Sequence, residues 1–135
     1  MNNEEKKQYL RRYQEAKKRA KRIQEEIEEL RSSKTSPVGL GDGMPHGSGT
    51  SDLSGYAARW DELVRELEAE KEMQIVTYRE IRQQISMVPD PTEQEILSRR
   101  YLLWQGWEKI AVEMGYSYRN ITRLHGYALQ HFEIS

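Results

Sequence analysis

"KIAVEMGYSYRNITRLHGYAL", residues 109–129, is the stretch whose reading decides the fold. Apolar residues recur at helical spacing up to Met114, and Gly115 tolerates the left-handed conformation that closes a helix. Ser117 is then a good N-cap for the next helix. The stretch reads as a short helix over 107–114, a tight turn, and a second helix running to about Phe132. Ile110, Met114, Tyr116, Ile121 and Leu124 are apolar where two crossing helices must bury residues between them. Ala111 is small where those helices approach most closely.

Upstream, Pro89-Asp90-Pro91 breaks the chain, and "TEQE" supplies Thr92 as an N-cap with Glu95 three residues on, a capping box. The helix this starts, about 93–104, presents Ile96, Leu97, Arg100, Tyr101 and Leu103, and Gly106 allows the next turn. A three-helix domain over 91–135 is expected.

Further upstream the pattern changes. Tyr9, Tyr13, Ala16, Ala20, Ile23, Ile27 and Leu30 recur at alternating spacings of 4 and 3, a heptad seam on one helix over 3–31. Residues 32–51 carry five glycines and two prolines and read as a flexible linker. A second long helix is expected over 52–90, closed by the Pro-Asp-Pro break. One of its rows is Leu53, Trp60, Leu67, Gln74, Ile81 and Val88; the other is Ala57, Val64, Lys71, Tyr78 and Ile85. Nine of these eleven are apolar, so a helix roughly 55 Å long must cover its stripe with the first helix, with a second copy, or with both. The linker, roughly 65 Å when extended, permits each. The expectation is an antiparallel pair that also forms a homodimer. The fold class expected is therefore all-α: two long coiled-coil-type helices (1–31 and 52–90) joined by the 32–51 linker, then the C-terminal helical domain 91–135.

The chain has 135 residues, 32 % of them charged, and a net charge of −1. Lys and Arg outnumber Asp and Glu by 10 to 7 over 1–31, are outnumbered 5 to 9 over 52–91, and balance at 5 each over 92–135. With no cysteine, disulfides, thiolate metal sites and cysteine nucleophiles are excluded. The charged N-terminus and the lack of a long apolar run give the expectation of a cytoplasmic protein with no membrane partner. Asn120-Ile121-Thr122 fits a glycosylation acceptor but falls within a helix, where that reading is discounted. His46 lies in the linker, and His125 and His131 point to opposite sides of one helix. No nucleophile with paired carboxylates, phosphate loop or metal spacing is present, so no catalysis, cofactor or metal is expected. Trp60, Trp104 and Trp107 read as packing residues.

The apolar-Ala pair Ile110-Ala111, Gly four residues after the Ala and Ile ten after it resemble the helix-turn-helix signature. Over 92–132 the resemblance narrows. Arg100-Tyr101, Trp107-Glu108-Lys109-Ile110-Ala111, Gly115-Tyr116-Ser117 and Ala128-Leu129 look like the promoter-reading region four of bacterial sigma factors. The chain is too short to hold the promoter-melting regions of a complete sigma factor. Its whole layout resembles small phage and prophage proteins that are sigma-region-four-like, akin to late-transcription regulators of the ArpU/RinA type. It departs from the sigma pattern at Gly106, where Ser or Thr usually caps, and in a reading helix poorer in Arg, Lys and Glu.

That resemblance implies double-stranded DNA as the ligand and bacterial RNA polymerase as a partner the same domain could engage. If the last helix enters a major groove, Arg119 and Asn120 project from its first turn, with Thr122, Arg123 and Gly126 next along the accessible side. Arg matches the O6/N7 edge of guanine and Asn the edge of adenine, each through two parallel hydrogen bonds. Ser117, Tyr118 and His125 would touch phosphate, and Lys109 on the preceding helix would grip the backbone. The block Lys17, Lys18, Arg19, Lys21 and Arg22 reads as a solvated helix face balanced by Glu25, Glu26, Glu28 and Glu29, with auxiliary phosphate contacts as its functional use. The rival expectation is a coiled-coil scaffold or a DNA-packaging, small-terminase-like oligomer, for which the Glu-rich stretch 61–80 would serve protein partners.

Overall fold

The computed structural model describes residues 1–35 and 49–134, and these are all helix and turn, without a strand. Helix α1 spans Asn3–Leu10 and α2 spans Arg12–Thr35. Backbone bonds from Arg11 N–H to Lys7 O and from Glu15 N–H to Arg11 O, both 3.0 Å, carry them through Arg11 as one long bent helix. Helix α3 spans Gly49–Ser86, α4 Pro91–Leu97, α5 Trp107–Met114 and α6 Tyr118–His131; a π-helical segment, Ser98–Leu102, extends α4. At their facing ends both long helices reach further than expected, to Thr35 and back to Gly49. At its other end α3 stops at Ser86, short of the expected residue 90, where Met87 and Val88 tighten into turn bonds ahead of Pro89. Neither 32–35 nor 49–51 contains a proline, so nothing there stops the backbone bonding. The rest of the expected linker, 36–48, lies outside the described residues.

The chain divides into two compact units, residues 17–72 and residues 1–16 with 73–135. These divisions differ from the boundaries expected from the sequence, because the N-terminal residues and the end of α3 belong with the C-terminal helices. In the first unit, Ile23, Ile27 and Leu63 form a buried cluster flanked by Leu30, Trp60, Val64 and Leu67. Arg19 pairs with Glu70 at 3.0 Å and Arg59 with Glu26 at 3.9 Å, so here α2 and α3 run antiparallel. Half-exposed pairs of this kind fix register more than they stabilise.

In the second unit, Leu10, Ile81, Ile85 and Val88 are buried with Leu97, Tyr101, Leu102, Ala128, Leu129 and Phe132. Ile96, Ile110, Ala111 and Ile121 form a second cluster where α4, α5 and α6 meet. The expected seam of α3 is only part of its buried face. Leu63, Thr77 and Gln84 are buried, while Ala57 and Lys71 are exposed. Each of these three buried residues precedes a seam residue (Val64, Tyr78, Ile85), so the stripe is three rows wide, as on a globular helix, rather than the two-row seam of a coiled coil.

The local signals divide between those that act as expected and those that do not. Ser117 caps α6, its Oγ accepting from Asn120 N–H at 3.1 Å. Gly115 closes α5 at φ 76°, and Tyr116 N–H bonds Ala111 O at 2.9 Å across the turn. Asp90, not Thr92, caps α4. Its Oδ1 accepts from Thr92 N–H at 2.9 Å while Pro91 takes the first helical position, where a missing N–H costs nothing. Glu95 has no capping role and pairs instead with Arg99 at 2.7 Å. The left-handed residue before α5 is Trp104 at φ 57°, not Gly106, which is the extended N-cap of that helix. Tyr116 and Leu103, expected in the core, are exposed. A methyl group placed on Gly115 would meet no atom within 4 Å, so Gly115→Ala encounters only backbone strain. A loss of about 1 kcal/mol is expected, read from the urea midpoint.

Candidate functional site

Helix α6 is two-faced. Ile121, His125, Ala128 and Leu129 are buried, with Leu124 packed beside Ile121. The opposite arc carries Arg119, Arg123 and Tyr127, all exposed, with Asn120, Thr122 and Gly126 half-buried at its sides. By helical spacing this arc is roughly 160° wide. It holds the expected residues Arg119, Asn120, Thr122, Arg123 and Gly126 together. Ser117 and Tyr118 stand at its N-terminal end, Tyr118 well exposed.

The polar groups on this arc are held locally. Arg123 Nη2 donates to Asn120 Oδ1 at 2.7 Å, and its guanidinium lies 5.9 Å from the Tyr127 ring. Thr122 Oγ1 donates to Arg119 O at 3.0 Å. Among the described residues neither Arg119 nor Arg123 has a carboxylate partner, and no acidic residue occurs between Gly115 and His131. Lys109 projects from α5, 4.0 Å from Glu113, and Glu113 also pairs with Arg99.

His125 does not project from the outer arc of α6, where the expected phosphate contact would lie. It is 6 % exposed, its Nε2 lies 2.8 Å from the Tyr101 hydroxyl, and its ring sits 4.4 Å from that of Trp107. Burial, then the charges of Lys7, Arg100 and Arg11, push its pKa down to about 4. Burial pushes the Tyr101 hydroxyl up to about 12, against the pull of Arg11 and Arg100. At neutral pH this is a pair of uncharged, hydrogen-bonded side chains in the core.

The N-terminal helix supplies contacts that sequence reasoning missed. Lys6 Nζ donates to Leu129 O at 2.9 Å and Gln130 O at 3.2 Å, placing a cation on the C-terminal carbonyls of α6. Gln14, which is buried, donates to Tyr101 O and Leu102 O at 3.2 Å each, satisfying carbonyls at the end of the π-helical segment. Tyr9 donates to Glu80 at 2.6 Å and Arg12 pairs with the same carboxylate at 3.2 Å; together they hold Glu80 below its ordinary pKa. No local pattern signals contacts spanning 68 to 124 residues. Of the basic block, Arg19 is committed to Glu70.

Among the described residues no group of three His, Asp or Glu side chains could hold a metal ion, and no helix is long and apolar enough to cross a membrane. Comparison with family models, curated proteins and solved structures finds no match.

Proposed function

We propose that the chain is a DNA-binding transcriptional regulator of phage or prophage genes that lays α6 in the major groove. The observation that carries this reading is the outer arc of α6, where Arg119 and Arg123 stand exposed without a carboxylate partner among the described residues. Arg119 reads guanine and Asn120 adenine, with Thr122, Arg123 and Gly126 at the same groove floor. Ser117 and Tyr118 at the start of that arc, with Lys109 of α5, take the strand phosphates on this reading. So few cations make one copy a weak binder. Two copies joined through the long helices raise the effective affinity and read two half-sites. Bacterial RNA polymerase is the further partner that the resemblance to sigma region four supplies.

The test is binding of the full-length protein to fragments of its source genome under excess competitor DNA. Arg119→Ala/Arg123→Ala should abolish the preference for one fragment, each lost bidentate contact weakening specific binding by roughly ten- to a hundredfold. Equal binding by wild type and double variant on every fragment would overturn the assignment to α6.

A second reading, a scaffold or DNA-packaging oligomer, draws on Met73, Ile75 and Val76, about half exposed on α3. Met73 and Val76, three residues apart, share a face of that helix and suit a protein contact there. A closed ring in native mass spectrometry would favour it; a dimer favours the regulator.

A further inference from the structure

Beside the outer arc of α6 lies a cavity of about 270 Å³ lined by Lys7 and Arg11 from the N-terminal helix, Arg100 from the π-helical segment, Trp107, Thr122 and His125. Three cations from two parts of the chain more than 80 residues apart converge there. Lys7 has Glu4 as a partner at 3.1 Å, on an exposed surface. Arg11 and Arg100 have no carboxylate partner among the described residues. Arg100 is nonetheless held in place, its Nη1 donating to Gln105 O at 3.0 Å and its guanidinium lying 4.6 Å from the Trp107 ring and 5.0 Å from the Trp104 ring. A guanidinium fixed by stacking loses little freedom when it binds an oxyanion through its fork.

The same convergence marks the neighbouring side chain. Burial is the main cause that keeps His125 neutral, and the charges of Lys7, Arg100 and Arg11 add to it, which places all three close enough to act on one side chain. The cavity falls just below the roughly 300–1,000 Å³ usual for organic ligands. It therefore suits a compact oxyanion better than a nucleotide. Its Thr122 wall belongs to the outer arc of α6, where a DNA strand would pass.

We infer that this cavity binds a phosphate group, clamped by Lys7, Arg11 and Arg100. The preferred source is the backbone of DNA held by α6, and to that extent the inference rests on the regulator reading; free inorganic phosphate offers the same chemistry. On this account the N-terminal helix is part of the DNA-binding surface, and the two Arg side chains there strengthen binding without reading sequence.

The experiment compares the full-length wild type with Lys7→Gln/Arg11→Gln, and separately with Arg100→Gln. The first variant leaves the stacked tryptophans untouched, so it remains informative if Arg100→Gln impairs folding. Inorganic phosphate is titrated at constant ionic strength against chloride, following the Trp107 indole signal by NMR. DNA affinity is measured over a range of salt on preferred and unrelated fragments. The expected result is weaker binding of the variant to every fragment alike, with fragment preference kept and the slope of log K against log salt reduced by about 1. A changed slope without saturable free phosphate identifies the strand phosphate as the occupant. Saturable phosphate binding, lost in the variant while the slope is unchanged, identifies free phosphate. If the wild type binds no DNA, the regulator reading fails and the phosphate titration alone decides the cavity. Wild-type behaviour of the Lys7→Gln/Arg11→Gln variant in both arms overturns the inference.

Discussion

Leu10→Ala is expected to destabilise the unit containing α4, α5 and α6 by roughly 2–5 kcal/mol, although Leu10 is some 80 residues from the start of α4. Its side chain is fully buried in the cluster that includes Leu97, Tyr101, Leu129 and Phe132, beside Ile81, Ile85 and Val88 of α3. Truncation to alanine removes three carbons from a site whose neighbours belong to several helices and cannot all close on the gap. Urea unfolding followed through tryptophan fluorescence measures the loss. A change within about 0.5 kcal/mol, the usual size for an exposed position, would show that the N-terminal helix only rests on this unit. A fragment of residues 91–135 is expected to give a largely unfolded circular dichroism spectrum for the same reason. It keeps Leu97, Tyr101, Leu129 and Phe132 but loses Leu10, Ile81, Ile85 and Val88, which cover them.

How far the fold is legible in the sequence depends on the range of each interaction. Gly115 and Ser117 act on backbone groups three to five residues away, and both are readable with their roles. Ile110, Ala111 and Ile121 come together as their spacing suggests. Asp90 escapes notice as the cap of α4 because Thr92-Glu95 offers a capping box two residues on; Pro91 at the first helical position is the cue that favours Asp90. The heptad seams identify apolar faces but not what covers them. A periodic stripe is equally compatible with a partner helix and with a broad core, and on α3 the extra row Leu63, Thr77 and Gln84 is what distinguishes the two. The outer arc of α6 is legible residue by residue. Its neighbours Lys7 and Arg11 are not, because only the docking of the N-terminal helix brings them there. His125 misleads for a related reason: a histidine on a basic helix reads as a phosphate contact until Tyr101 and Trp107 are seen to enclose it.

That enclosure has a measurable consequence in acid. In the folded protein His125 titrates near 4, whereas in the unfolded chain it returns to its ordinary 6.5. Above 6.5 both states are uncharged at this residue and the folded form has its full stability. As the pH falls from 6.5 towards 4 the unfolded chain takes up a proton that the folded one refuses, so stability declines. Below 4 both are protonated and the loss levels off. The span corresponds to roughly 3 kcal/mol, large against the marginal stability of a small domain. Glu80, held below its ordinary pKa by Tyr9 and Arg12, adds to the loss at the acid end, so the wild-type curve alone does not isolate the histidine. His125→Gln does. Its amide is uncharged at every pH and can still accept a bond from the Tyr101 hydroxyl, which keeps its proton up to about 12. The variant is expected to be less stable at neutral pH, having lost the ring packed on Trp107, yet to lose far less between pH 6.5 and 4. Parallel stability curves for the two proteins over that interval would mean that His125 accepts a proton in the fold as easily as in water. The charges of Lys7, Arg11 and Arg100 would then be too well screened to bear on it. Burial is the larger cause of the shift and the three cations add to it, so such a result would also remove one sign that Lys7, Arg11 and Arg100 concentrate their charge at the cavity.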